Sequence, residues 1–266
     1  MRSLIDTLDF SVEELEEMME TALDIIADPD KYAESCKRKK LATLFFEPST
    51  RTRLSFEAAM IELGGNVIST PGASLSSAAK GESFADTARV ISSYADIVAM
   101  RHPMEGAALV AAKNATIPVI NSGDGGHCHP TQTLADMLTI YRERGSLENM
   151  TVGFCGDLKY GRTVHSLIGA LSRYPGVKFV LISPRELTLP EYIKTNVIER
   201  QGLSYKEVTS LEDAVGELDI LYMTRIQRER FDSDEEYDRL KDSYILTVDI
   251  MKKAKECCRI LHPLPR

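Results

Sequence analysis

A chain of 266 residues, 43% hydrophobic and 27% charged, is long enough for two ordinary domains, each with its own core. Its net charge of −8 argues against a nucleic-acid surface, which needs a basic face, so an anionic ligand would have to be drawn in by a local cluster of Arg and Lys. No apolar run approaches a membrane span, acids come too early for a secretory signal, and five scattered cysteines make no disulfide framework, so a cytoplasmic protein is expected.

Ser11 followed by Glu14 is a capping box, and the helix it opens carries Leu15, Met18, Met19 and Leu23 on one face. Strand-like and helix-like runs then alternate. A strand is predicted over 41–46, a helix over 54–63 stopped by Gly64-Gly65, and a strand over 66–69. A helix over 84–94, a strand over 97–100, a helix over 106–113 and a strand over 118–121 follow. A long helix begins near Pro130, carries Leu134, Met137, Leu138 and Tyr141, and ends at Gly145. A second series opens with a strand over 151–155, a loop over 156–161, a helix over 162–173 and a strand over 177–182. It continues with a helix over 191–199, a short strand near Tyr205, a helix over 211–215, and strands over 218–223 and 259–261. This alternation predicts an α/β fold of two domains, 1–148 and 149–266, each a mostly parallel sheet flanked by helices. A ligand cleft is expected between them, at the C-terminal ends of the strands.

The most informative stretch is Glu47-Pro48-Ser49-Thr50-Arg51-Thr52-Arg53, between the first strand and its helix. It offers three hydroxyls and two guanidiniums where backbone N–H groups at a helix N-terminus lack partners, and such a place suits a phosphate. Arg101-His102-Pro103 follows another strand and supplies a further cation for the same anion. His127-Cys128-His129-Pro130-Thr131-Gln132 opens the long helix, with Pro130 at its first position. A metal site of His127, Cys128 and His129 has poor chelate geometry and no second cluster to complete it. A neutral His129 donating to a reacting carbonyl fits better, with Gln132 one helical turn on.

The loop Gly156-Asp157-Leu158-Lys159-Tyr160-Gly161-Arg162-Thr163 has the glycine spacing of a nucleotide P-loop, but Arg162 stands where that motif needs Lys. Arg162 at a helix start reads better as a carboxylate ligand. Met223-Thr224-Arg225-Ile226-Gln227 puts another guanidinium and an amide at a strand end. Ser76 to Ser83 is rich in small residues and contains Lys80; His165 and Cys257-Cys258 read as packing residues.

Together these residues resemble the transcarbamoylases, in particular the aspartate carbamoyltransferase catalytic chains. Ser49-Thr50-Arg51-Thr52-Arg53 resembles the family's carbamoyl-phosphate signature. His129-Pro130-Thr131-Gln132, the loop from Gly156 to Thr163, Met223-Thr224-Arg225-Ile226-Gln227 and His262-Pro263-Leu264-Pro265-Arg266 match in order and spacing. The ornithine enzymes lack Thr-Arg-x-Gln in the second domain and carry Cys in place of Pro263.

The resemblance implies transfer of a carbamoyl group from carbamoyl phosphate to L-aspartate, in pyrimidine synthesis. It makes 1–148 the carbamoyl-phosphate-binding domain and 149–266 the aspartate-binding domain. It implies that Ser49, Thr50, Arg51 and Thr52 hold the phosphate with help from Arg101. Thr52, Arg101 and His129 would face the carbamoyl oxygen. Gln132 and the carbonyls of Pro263 and Leu264 would hold its NH2 group, and Arg162, Arg225 and Gln227 the two carboxylates of aspartate. Ser76 and Lys80 match residues donated by the neighbouring chain of a homotrimer, Lys80 being a catalytic and aspartate-binding candidate. The resemblance also implies a cis peptide before Pro265, no metal and no organic cofactor, and leaves room for a regulatory chain.

Relatives continue past the position of Arg266 into a closing segment and a C-terminal helix. Its absence is expected to expose apolar surface on the first domain and to weaken turnover. A carbamoyl-phosphate-binding protein without catalysis is therefore the alternative of a different class. Ornithine transfer comes next, opposed by Arg162, Arg225 and Gln227, and a P-loop nucleotidase last, opposed by Arg162.

Overall fold

The computed structural model describes residues 2–70, 81–226, 228, 231 and 233–264. The chain forms two compact units, Met1–Leu134 and Ala135–Arg266. The division falls within the long helix α5 (Pro130–Arg144).

The first unit is built on a parallel sheet of β1 (Lys40–Phe45), β2 (Asn66–Ser69), β3 (Ile97–His102) and β4 (Val119–Asp124), in the order β2-β1-β3-β4. Every β1 position after Lys40 is buried, which is why this strand reads in the sequence as an unbroken apolar run. One face of the sheet carries Ala42, Leu44, Val98 and Met100. They pack against alanines of α3 (Phe84–Ile91) and α4 (Ala107–Asn114), whose small side chains let both helices lie close to the strands. Near the N-terminus α1 (Val12–Ala27) starts with the expected reciprocal capping box of Ser11 and Glu14, and buries Leu15 and Met19.

Helix α2 (Thr50–Glu62) starts four residues earlier than predicted, so Thr50 to Arg53 form its first turn and not the turn before it. Only Met60 of its 13 residues is buried, and it therefore carries little of the apolar periodicity that marks helices in a sequence. Polar bonds hold its N-terminal half instead. Glu57 Oε1 accepts from Thr43 Oγ1 (2.9 Å) on β1, from Ser69 Oγ (2.9 Å) on β2 and from Arg53 Nε (3.0 Å) on its own helix.

The second unit is a parallel sheet of β5 (Thr151–Cys155), β6 (Lys178–Ile182), β7 (Tyr205–Val208), β8 (Ile220–Met223) and β9 (Arg259–Leu261), in the order β7-β6-β5-β8-β9. Phe154, Phe179 and Tyr222 share one face, with ring centroids 6.1 and 5.5 Å apart around Phe154. Each such ring contributes about 1.5–3 kcal/mol of burial. The other face packs Cys155, Ile182 and Leu221 with Leu211, Val215 and Leu218. Helix α6 (Arg162–Leu171) ends two residues before its predicted end. The helix predicted over 191–199 is irregular: α7 (Glu191–Ile193) passes into a π turn, Lys194–Ile198, and then a 3-10 turn. Beyond the short α8 (Leu211–Ala214), two helices had no counterpart in the sequence reading, α9 (Asp234–Leu240) and α10 (Val248–Met251).

Each sheet reverses its strand order once, between β1 and β3 in the first unit and between β5 and β8 in the second. Loops leaving the C-terminal ends of strands at such points diverge and leave a crevice, the usual ligand position in open α/β sheets.

Candidate active site

Both reversals coincide with predicted site residues. In the first unit, β1 leads into Glu47–Arg53 and β3 carries Arg101 just before its last residue, paired in register with Phe45. Arg101 lies inside the strand and not after it, as the sequence reading had it. Ser49 is the N-cap of α2, with extended backbone and no side-chain cap bond, so its hydroxyl is not spent on the helix's own N–H groups. Arg101 Nη1 donates to Ser49 Oγ at 3.3 Å, and Arg101 Nε donates to Glu47 Oε1. Thr50 and Arg51 are exposed in the first helical turn and Thr52 is half-buried. The junction thus gathers a helix N-terminus, three hydroxyls and the Arg51 and Arg101 guanidiniums.

Arg53 Nε donates to Glu57 Oε1 at 3.0 Å, so this guanidinium helps to hold α2.

His129 is buried just ahead of α5, and its carbonyl accepts from Gln132 N (3.1 Å) and Thr133 N (3.1 Å), which starts the helix at Pro130 as expected. Asp124 at the end of β4 shapes the loop leading there. This buried carboxylate accepts from Gly106 N (2.9 Å), Asn121 Nδ2 (2.9 Å) and Cys128 N (3.3 Å), and His127 Nδ1 lies 3.2 Å from it. His127 is therefore directed to Asp124, while His129 Nδ1 lies 3.5 Å from Thr131 Oγ1. Among the described residues no group of three or more His, Cys, Asp or Glu is placed to hold a metal ion.

Histidine–proline pairs recur with one local geometry. In His102-Pro103-Met104 the Met104 N–H donates to His102 Nδ1 at 3.0 Å, and in His262-Pro263-Leu264 the Leu264 N–H donates to His262 Nδ1 at 2.8 Å. An accepting Nδ1 leaves Nε2 as the ring's N–H position. His102 packs between Phe46 and Phe84, and burial pulls it below the ordinary His value against the opposing pull of Glu47 and Asp124. It stands beside Arg101 and no role was read for it in the sequence.

In the second unit, Gly156 follows β5 and Thr224-Arg225 follows β8. Asp157 N donates to Thr224 Oγ1 (3.0 Å), and that hydroxyl donates to Cys155 O (3.2 Å). Gly156 has φ +121°, and a Cβ there would sit 2.4 Å from Thr224 O. This glycine lets two strand-end loops touch backbone to backbone, which accounts for the P-loop-like spacing without a phosphate. Arg162 is the first residue of α6. A cavity of about 930 Å³ is lined by Gly156, Arg225, Tyr237, Lys241, His262 and Leu264 among others; Arg162 does not line it. Leu264 has φ +56°, rare for a branched side chain, so the backbone of the last motif is held in a strained form at this cavity. Ser76, Lys80, Gln227, Pro265 and Arg266 lie outside the described residues, and with them the expected cis peptide.

The sequence reading also missed partners. Glu57 was findable, since it lies four residues after Arg53 on one helix. The pairing of Glu47 with Arg101, 54 residues apart, and of Asp136 with Tyr222, 86 residues apart, left no local signal.

Residues 2–142 match the family described as "Aspartate/ornithine carbamoyltransferase, carbamoyl-P binding domain", and residues 148–266 its "Asp/Orn binding domain". The aspartate carbamoyltransferase catalytic subunit of Lachnoclostridium phytofermentans is 62% identical over 266 residues, covering all of this chain and 87% of that protein. That of Clostridium novyi is 60% identical over 265 residues, covering 86% of it. The catalytic subunit of M. jannaschii aspartate transcarbamoylase superposes with a TM-score of 0.90 at 45% identity, over 100% of this chain and 87% of that one. The Trypanosoma cruzi enzyme in complex with carbamoyl phosphate and aspartate gives 0.92 at 36% identity, over 100% and 86%. The chain belongs to the aspartate/ornithine carbamoyltransferase family, among its aspartate carbamoyltransferase catalytic subunits.

Proposed function

We propose that this chain transfers the carbamoyl group of carbamoyl phosphate to the amine of L-aspartate, giving N-carbamoyl-L-aspartate and phosphate in pyrimidine synthesis. The observation that carries this reading is the β1–α2 junction, where Arg101 meets the N-cap Ser49 at 3.3 Å beside the exposed Arg51. A helix N-terminus flanked by hydroxyls and guanidiniums is built for a phosphate group. The complex of the T. cruzi enzyme with both substrates supports the same pair here.

In this reading Ser49, Thr50, Arg51, Thr52 and Arg101 hold the phosphate, joined by Ser76. The aspartate amine attacks the carbamoyl carbon, a C–N bond forms, and the carbonyl oxygen gains negative charge. Thr52, Arg101 and His129 stabilise that oxygen. His129 can donate to it as a neutral imidazole. Gln132 and the carbonyls of Pro263 and Leu264 accept from the carbamoyl NH2 group. The C–O bond to phosphate then breaks, and the amine proton passes to the departing phosphate or to Lys80. Arg162, Arg225, Gln227 and Lys80 hold the two carboxylates of aspartate, a dicarboxylate being matched by paired guanidiniums. Much of the rate comes from positioning two bound anions. The working unit is a homotrimer with Ser76 and Lys80 donated by the adjacent subunit, able to accept a regulatory chain, acting in the cytoplasm without metal or organic cofactor.

The test is carbamoyl-aspartate formation with an Arg51→Ala control and L-ornithine as competing substrate. Turnover with aspartate alone, lost in the control, is expected. Equal turnover with ornithine, or a control as active as wild type, overturns the reading.

A further inference from the structure

Asp124, the last residue of β4, is 1% exposed, yet its carboxylate collects donors from separate segments of the first unit. Oδ1 accepts from Asn121 Nδ2 (2.9 Å) and Cys128 N (3.3 Å), and Oδ2 accepts from the N–H of Gly106 (2.9 Å), the N-cap of α4. His127 Nδ1 lies 3.3 and 3.2 Å from the two oxygens. The backbone closes the same turn: Asp124 N donates to Cys128 O (3.3 Å) and His127 N donates to Asp124 O (3.0 Å). A buried carboxylate is costly unless bonded, and apolar side chains of similar volume would fill the space without that cost. What they would not supply is a fixed direction for each donor.

These donors stand beside the two groups assigned to the carbamoyl oxygen. Cys128 directly precedes His129, and Gly106 lies in the segment that follows Arg101. Gly125 N donates to the carbonyl of His102, the residue after Arg101, at 2.9 Å. A Cβ at Gly125 would lie 2.7 Å from Pro103 O, so the turn and that segment meet backbone to backbone. We propose that Asp124 is a positioning residue for carbamoyl transfer, setting His129 against the end of β3 that carries Arg101. The two donors thereby converge on the oxygen that gains charge in the transition state. This inference rests on the reading of Arg101 and His129 as donors to that oxygen.

Asp124 contacts no substrate atom in this reading, so its loss should slow the chemical step and leave the hold on phosphate intact. Asp124→Ala removes every bond of the carboxylate and should lower kcat about 10²-fold, the scale of a misplacement of about 1 Å. Asp124→Asn keeps an oxygen for Asn121 and Cys128 but turns its NH2 group toward Gly106 N, and should lower kcat about tenfold. The Kd of inorganic phosphate should stay within about twofold, since Arg101 is tied to Glu47 and Ser49 by bonds that the turn does not share. Because Asp124 acts through His129, its effect should disappear once that imidazole is gone. In a His129→Ala background, Asp124→Asn should lower kcat by less than about twofold. Loss of a residue that merely supports the fold would show no such dependence.

The experiment is steady-state kinetics on wild type, Asp124→Ala, Asp124→Asn, His129→Ala and the double variant, with phosphate calorimetry and thermal unfolding alongside. A fall in kcat that is larger for Ala than for Asn, spares the phosphate Kd and vanishes in the His129→Ala background is expected. A folded Asp124→Ala chain with kcat within about threefold of wild type, a fall that adds in full to that of His129→Ala, or a phosphate Kd weakened as much as kcat overturns the inference and leaves the proposed reaction standing. A His129→Ala chain as active as wild type does the same. If neither Asp124 variant folds, His127→Ala decides, because His127 is half-exposed and its loss leaves the carboxylate its amide donors. Its kcat should fall about threefold, and only while His129 is present; an absent or additive fall overturns the inference. A wild-type chain that forms no carbamoyl-aspartate overturns the functional reading and this inference with it.

Discussion

The Arg101 guanidinium bridges Glu47, which follows β1, and Ser49, which caps α2: Nη1 lies 3.3 Å from Ser49 Oγ while Nε is held by the Glu47 carboxylate. Arg101 is 17% exposed and Glu47 24%, so neither is fully screened by water. The bridge preorients the guanidinium at the helix N-terminus before any anion arrives. Arg101→Ala should therefore lower kcat/KM by about 10²–10³, the usual scale for removing a preoriented charge-stabilising donor. Arg101→Lys should recover only part of this, because an ammonium cannot match two partners through a planar fork. Steady-state rates with both substrates, and inorganic phosphate binding by calorimetry, check this. An alanine variant within threefold of wild type would remove Arg101 from the site.

Glu57 offers a second test, in the same unit but away from the ligand. Burial alone would push its carboxyl up; Ser69, Thr43 and Arg53 together outweigh that and bring it below the usual carboxylate value. Since α2 buries only Met60, this acceptor decides how the first turn of the helix is aimed. Glu57→Gln should cost about 1–3 kcal/mol in urea unfolding at neutral pH, the scale of hydrogen bonds to a charged group. It should also weaken phosphate binding although no ligand atom is touched. A group with a depressed folded-state pKa stabilises above its unfolded value of about 4.3 and loses that contribution as pH falls through the folded value. The gap between wild type and Glu57→Gln should therefore close in acid. A gap that stays constant from neutral pH to pH 3 would contradict this account.

How much of this was legible in the sequence follows from the range of each interaction. β1 was read nearly to the residue, because a strand buried on both faces shows as a continuous apolar run whatever its neighbours are. Helix α2 was read four residues late, because polar Thr50 to Arg53 carry no periodicity and their stabilisation comes from strands elsewhere in the chain. The junction proposed to hold phosphate was visible as a motif through Ser49, Thr50, Arg51 and Thr52, which are consecutive, while Arg101 comes from another strand. The bond of Arg53 to Glu57 was not legible in the same way, because a guanidinium in a sequence has no direction. Helix α9 has a serine cap at Ser233 and one buried residue, Leu240, too little apolar pattern to mark it. The Asp136–Tyr222 bond joins positions 86 residues apart and has no local trace.

His102 supplies a pH-dependent prediction. Its Nδ1 accepts from Met104 N, and burial lowers its pKa. A histidine whose folded value lies below its unfolded value of about 6.5 costs nothing while neutral in both states, and destabilises the fold as pH drops through 6.5 toward the folded value. Thermal stability of the wild type should fall between pH 7.5 and 5. His102→Asn keeps an acceptor near the position of Nδ1 and cannot titrate, so its curve should be shallower. It should not become flat, because His165, whose Nε2 donates to Leu158 O at 2.7 Å, is shifted the same way by burial. Parallel curves for wild type and variant would assign the acid sensitivity elsewhere.

Gly156 separates the site from the scaffold in the second unit. A methyl group there would lie 2.4 Å from Thr224 O and 2.6 Å from Thr224 Oγ1, and φ +121° is itself strained for alanine. Thr224 would have to move. Its hydroxyl is already bound to Asp157 N and Cys155 O, and Arg225 is the next residue, so the displacement passes into the cavity wall. Gly156→Ala should cost about 2–4 kcal/mol of stability and raise KM for aspartate well beyond that for carbamoyl phosphate. Gly153, three residues earlier on β5, provides the contrast. A Cβ there would first meet the Leu218 side chain, at 2.4 Å, in the sheet's apolar packing. Gly153→Ala should destabilise through overpacking by about 1–3 kcal/mol and leave both KM values near wild type. Chemical denaturation with steady-state kinetics on the two variants gives the answer. If both destabilise and neither shifts the aspartate KM, the contact between Gly156 and Thr224 serves folding alone, and Arg225 does not depend on it.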